Sequence, residues 1–147
     1  MNSKEYKNTF HEIAKENGFE KAFGSWFKES KECILVLELQ KSNFGDYYEM
    51  NVKVFIQGAF GNKYFKNKDL AKKDMGDVFT RQPKEMRNVF IFDDVQMTDE
   101  ERISNTKKLF NEFIVPFTNK ALLRSGIKEL AEEGKIILLP AVKKELE

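Results

Sequence analysis

The sequence is poor in the residues that staple a fold or run the common chemistries. Its 147 residues include one cysteine, one histidine, three prolines and one tryptophan. A lone Cys33 excludes an internal disulfide, and within the apolar run CILVLEL it reads as a small buried thiol. One His and one Cys also exclude the common zinc clusters, so neither metal nor cofactor is expected. A histidine-based triad would have only His11 as its base, flanked by Phe10 and Glu12 on a helix, where a surface role is the simpler reading. There is no Walker-type phosphate loop and no G-x-G-x-x-G. Twenty-five basic against 24 acidic residues leave a net charge of +1, which gives no general pull toward nucleic acid or an anionic membrane. No window approaches the roughly 18 apolar residues of a membrane span, and MNSKEYKNTF lacks the apolar core of a secretory signal. The expectation is a soluble protein in the reducing cytoplasm.

What is abundant is aromatic: 14 Phe and four Tyr, enough to fill a substantial core. The length suits one domain over residues 1–147. Tyr6, Phe10, Ile13 and Ala14 share one stripe ahead of Gly18, predicting a helix over 3–17. Residues 22–29, 33–41 and 46–56 read as three meander strands, with turns at 29–32 and 42–45. Residues 57–75, with Gly58, Gly61 and KYFKNKDLAKK, read as a long connection with room for a helical turn. GDVFTRQ (76–82) and NVFIFDD (88–94) supply two further strands on either side of Pro83.

Thr98 and Glu101 form a capping box for the next helix, whose stripe is Ile103, Phe110, Phe113, Ile114 and Phe117. Pro116 should kink or break it near residue 115. A further helix is expected over 119–133, closed by Gly134. In the tail, Ile136–Leu139 fits a strand or one buried turn equally, with Pro140 interrupting it. Strands in a run between terminal helices predict an α+β domain. Its antiparallel meander of about five strands would carry the N-terminal helix and the C-terminal helices on one face.

The hairpin LELQKSNFGDYYEMN, joined by Arg81 from a later strand, offers the best candidate binding face. Leu35, Leu37 and Leu39 must share a face with Met50, Val52 and Val54, which puts Glu38, Gln40, Tyr47, Glu49 and Asn51 on the other. Two registers satisfy that pattern. A four-residue loop at 42–45 sets Glu38 opposite Glu49, a like-charge pair that would need a cation or a shared proton. A two-residue Phe44-Gly45 loop sets Glu38 opposite Asn51 and Gln40 opposite Glu49, but holds a bulky Phe at positive φ. The simpler account of the carboxylates is a solvated face with Lys53 or Arg81 between them.

Several of these residues form a pattern. Gly18-Phe19 with Lys21 follows the first helix, Gln40-Lys41-Ser42 closes a strand, and Tyr48 and Asn51 sit on the next. Arg81 falls on a later strand, and a helix reaches Pro116-Phe117. This arrangement, over roughly residues 5 to 130, resembles bacterial domain-of-unknown-function family 4304. The chain departs from that pattern in lacking tryptophans after the late strands. The resemblance implies no reaction and so no catalytic residue. Some members look like the small neutralising proteins encoded beside bacterial toxins.

Three functions compete on this reading. Missing catalytic motifs and a face mixing Tyr47, Phe55, Glu49, Asn51 and Gln40 favour a non-catalytic module for a protein partner, toxin-neutralising or otherwise regulatory. A small hydrolase using Glu38, Glu49 or Asp93 comes second, and Asp93-Asp94 lacks a third ligand for a metal. Nucleic-acid binding through the Lys-rich segment 63–73, where lysines interleave with Tyr64 and Phe65, comes third. For that run a solvated loop with Tyr64 and Phe65 tucked inward is the simpler expectation.

Overall fold

A computed structural model describes all of residues 1–147. Helix α1 (Ser3–Glu16) starts where Asn2 accepts from the Glu5 amide while the Glu5 side chain accepts from the Asn2 amide, a reciprocal cap. Five strands follow: β1 (Glu20–Ala22), β2 (Ser25–Glu29), β3 (Cys33–Lys41), β4 (Tyr48–Ile56) and β5 (Val78–Arg81). They form one antiparallel meander in chain order, so β1 and β5 are its edges. The domain is α+β, as the alternation of apolar residues predicts.

The strand count agrees with expectation while its membership differs. The predicted strand over 22–29 is two strands, folded back at Phe23-Gly24, where both residues take positive φ (53° and 77°). The predicted strand over 88–94 does not form. Lys84–Phe90 wind as a 3₁₀ segment, and only Ile91 touches the sheet, through a single bridge to Tyr47. Consecutive Val89 and Phe90 are both buried, which this segment achieves by winding rather than by alternating. Arg102, itself 3% exposed, holds this segment by donating to the carbonyls of Val89 (2.7 Å) and Ile91 (3.0 Å) while stacking on Phe92.

After α2 (Lys68–Lys72), the C-terminal half starts with α3 (Asp99–Leu109), capped by the Thr98 hydroxyl on the Glu101 amide. Pro116 does not end this rod. A π-helical turn at Phe110–Ile114, closed by the Val115 amide on the Phe110 carbonyl, leads into α4 (Val115–Ala121), so the α-helical ladder is interrupted beside Pro116, which has no amide donor to continue it. The single helix expected over 119–133 is instead broken at the extended Leu123, and α5 (Arg124–Glu132) folds back on α4. Gly126 permits that close return, since a Cβ there would lie 1.9 Å from the Lys120 carbonyl oxygen. The tail pairs with no strand. Ile136 is buried, Ile137 is exposed, and Pro140 opens the short α6 (Pro140–Glu145) rather than interrupting an element. No helix is long and apolar enough to cross a membrane.

Every helix except α2 lies on the face carrying Leu35, Leu37, Leu39, Met50, Val52 and Val54, and together they bury one continuous core rich in aromatic contacts. Phe10 packs on Trp26 at 4.7 Å and on Phe110 at 5.2 Å. The opposite face is not the solvated surface that the alternation suggested. There α2 presses Leu70 and Ala71 onto Phe27, Ile34, Val36 and Phe55, closing a second, smaller core. The segment that looked like a loose connection therefore roofs half of the hairpin's polar face.

Candidate functional site

The ladder pairs Glu38 with Asn51, Gln40 with Glu49, and Lys41 with Tyr48. This is the second register, reached without its steric fault: the ladder stops at Lys41 and Tyr48, and Phe44 stays out of the positive-φ region. Ser42 still donates to the Tyr47 carbonyl at 2.9 Å, while the Asp93 carboxylate accepts from the Asp46 amide and Lys41 pairs with Asp46. Glu38 and Glu49 are thereby kept apart, and no shared-proton carboxylate pair forms.

Where α2 ends, the roofed part of this face opens into a concavity of about 290 Å³. Glu38, Gln40, Asn51, Lys53, Lys72, Lys73, Asp74, Met75, Phe79 and Arg81 line it. Its floor is a connected polar network. The Lys53 ammonium meets Glu38 Oε1 at 2.9 Å and also donates to the carbonyls of Leu70 and Ala71, both at 3.3 Å. Those carbonyls lie near the C-terminal end of α2, where a cation complements the helix dipole. The Asn51 amide donates to Glu38 Oε1 (3.1 Å) and to Gln40 Oε1 (2.8 Å), and its Oδ1 accepts from Arg81 Nε (3.0 Å). Lys53 is 2% exposed and Glu38 7%, so this is a buried ion pair rather than a solvated one.

Of the six residues expected on the binding face, Glu38, Gln40, Asn51 and Arg81 converge here. Tyr47 and Glu49 do not. Glu49 accepts from Gln82 (2.9 Å) and Arg87 (3.4 Å), and the Arg87 guanidinium lies over the Tyr47 ring, so both belong to the sheet margin. Lys53 was expected as a solvent-screened cation between carboxylates; it is the buried hub. Its signal in the sequence is a charge in the middle of a strand whose flanking same-face residue, Phe55, is apolar. Lys72, Lys73, Met75 and Phe79 carried no such signal, because α2 and the segment after it bring in the first three, and β5 sets Phe79 beside Lys53 from elsewhere in the chain.

Burial lowers Lys72 below the ordinary lysine range, while Glu38 pulls it the other way and Lys7, Lys53 and Lys21 add to the lowering. Its ammonium donates to the Gly24 carbonyl at 3.2 Å. Four cationic side chains therefore face two acidic ones around the concavity. Elsewhere, His11 Nδ1 accepts from the Trp26 indole N–H at 3.1 Å, so this ring is engaged with the core's tryptophan. Tyr64 tucks onto Phe55 as expected, whereas Phe65 is 70% exposed, and Lys66 pairs with Glu20. No group of three or more His, Cys, Asp and Glu side chains comes together.

A meander sheet sandwiched between a helical layer and one short roofing helix, with a basic-rimmed polar concavity beside the roof, defines a small α+β domain. A family model described as a domain of unknown function (DUF4304) matches residues 10–120, and the chain belongs to that family. No curated protein and no solved structure matches it.

Proposed function

We propose that this domain is a non-catalytic binding module that recognises an acidic segment of a protein partner through the concavity, in a toxin-neutralising or other regulatory role in the cytoplasm. The observation that carries the reading is the convergence of Gln40, Asn51 and Arg81 with Lys72 and Lys73 over a floor whose own charges are matched. Lys53 and Glu38 neutralise each other, so the rim's three cations against Asp74 leave a positive surplus at the mouth. Lys53, Asn51 and Gln40 are engaged in holding one another, an arrangement that fixes shape rather than supplying a mobile proton. Convergent polar groups in a concavity mark a recognition site, and a charged rim gives it specificity.

The test is a pull-down from the source cell with the full chain as bait, comparing wild type with a Lys72→Glu, Lys73→Glu, Arg81→Glu triple variant. None of the three side chains belongs to either hydrophobic core, so the variant keeps its far-UV spectrum. The reading requires a protein, identified by mass spectrometry and rebound in purified form, that is lost from the triple variant. It must also be lost as salt rises, and retained by a distal Lys128→Glu, Lys143→Glu control. Equal capture by wild type and triple variant would overturn it.

A further inference from the structure

Glu38 is 7% exposed, and both groups that address it, Lys53 and Asn51, approach the same oxygen, Oε1. Oε2 accepts nothing from the chain. Nor is it sealed in, since the one side-chain polar atom that is both wholly buried and unpartnered is Thr118 Oγ1, in the helical layer. Glu38, a lining residue of the concavity, thus keeps one carboxylate oxygen with solvent contact and no hydrogen-bond partner from the chain. On the far side of the Asn51 carboxamide, Arg81 makes its one hydrogen bond through Nε and lies over the Phe79 ring at 5.6 Å, leaving both terminal guanidinium nitrogens without a hydrogen-bond partner from the chain. Lys73 lines the same concavity with no ion pair of its own, and Met75 and Phe79 are its two apolar lining residues. An acceptor and a cationic fork separated by one amide group match a ligand with an N–H donor and a carboxylate on adjoining atoms.

Charge then selects between the ligands that carry this pair of groups. A free amino acid offers an ammonium and a carboxylate and is neutral overall, whereas the mouth has a net positive charge and Glu38 already has its counter-ion. A chain terminus offers a neutral amide N–H and a net negative charge. Building on the proposed protein-binding role, we infer that the concavity receives the C-terminal residue of the partner: its amide N–H donates to Glu38 Oε2, its α-carboxylate bridges Arg81 and Lys73, and its side chain lies on Met75 and Phe79. Capture of a terminal carboxylate is a recurrent mode of peptide recognition, and a guanidinium suits its two oxygens.

The experiment titrates the full chain with a pool of N-acetylated hexapeptides that have free C-termini and apolar last residues. The peptides that bind are then remade with a C-terminal amide, or with an N-methyl group on the last amide. Each change should weaken binding about tenfold or more, because each removes one of the two polar anchors. Arg81→Gln and Lys73→Gln should weaken the free-acid peptides alone, bringing them to the level of the amidated ones. The inference is overturned if no peptide in the pool binds, if amidated peptides bind as well as free acids, or if free amino acids bind where acetylated peptides do not. Should any of these occur while partner capture still depends on Lys72, Lys73 and Arg81, only the C-terminal mode fails and the acidic-segment reading stands. Capture that survives charge reversal would remove that reading instead.

Discussion

Breaking the Glu38–Lys53 pair is the perturbation whose size the structure specifies best. Both partners are more than nine-tenths buried, with 2.9 Å between Lys53 Nζ and Glu38 Oε1. Removing one partner of such a pair strands the other charge in a poorly solvated site, which costs about 3–5 kcal/mol. Glu38→Gln should fall near the low end, about 3 kcal/mol, because Lys53 keeps the two α2 carbonyls as acceptors. Lys53→Met should cost a similar amount, since Glu38 retains only the Asn51 amide as a donor. The double variant strands no charge and should cost about 1 kcal/mol, giving a coupling of about 5 kcal/mol. Domains of this size carry about 5–15 kcal/mol in total, so the single variants remain folded and measurable. Trp26, the single tryptophan and 1% exposed, reports urea unfolding through its fluorescence, and the m-value should stay constant across the cycle. Single variants that each cost under about 1 kcal/mol, or losses that simply add, would refute the claim that this buried pair latches α2 to the sheet.

Three further outcomes are expected. Gly126→Ala drives a methyl into the Lys120 carbonyl, so it should lower stability by about 3 kcal/mol or more, read as a fall in urea midpoint. An unchanged midpoint would show that α4 and α5 separate readily. Burial raises Asp77 above the ordinary carboxylate value, so the folded state holds that proton longer than the unfolded one. Stability should therefore decline as pH rises from about 4 through the raised value, and Asp77→Asn should flatten that slope, since its amide oxygen still accepts from the Ile56 amide. A slope that survives the substitution assigns it to another group. Cys33 is fully buried and its thiol is pushed up to about 12, chiefly by desolvation. At pH 8 a disulfide-exchange reagent should leave the native protein unlabelled and titrate one thiol after denaturation, and rapid native labelling would contradict the packing.

How much of this was legible in the sequence depends on the range over which each choice is made. The hairpin's faces followed from its alternation, because a one-residue slip would have turned an entire aliphatic set outward. Its register did not. Both candidate pairings kept the faces, and the winner avoids the like-charge contact by setting Gln40 opposite Glu49, while ending the ladder at Lys41 and Tyr48 spares Phe44 the strained turn. The strand over 88–94 failed for a similar reason. NVFIFDD has a strand's composition, but Arg102, a residue from the following helix, satisfies the carbonyls of Val89 and Ile91 that a ladder would have taken.

The sequence by itself determined the α+β class, the first helix, the aliphatic face of the sheet and four residues of the candidate site. All of these rest on periodicity or on neighbours along the chain, where sterics and burial act locally. Tertiary structure alone decided that the other face is half covered. Helix α2 is five residues long and polar at both ends, so nothing local marks it as a roof. It becomes one because Leu70 and Ala71 gain burial on Phe27 and Phe55 while Lys53 reaches the α2 carbonyls. The same contact brings Lys72 and Lys73 to within the lining of one concavity with Arg81. Charges that look evenly mixed along the chain become a basic mouth only after residues far apart in sequence are folded together.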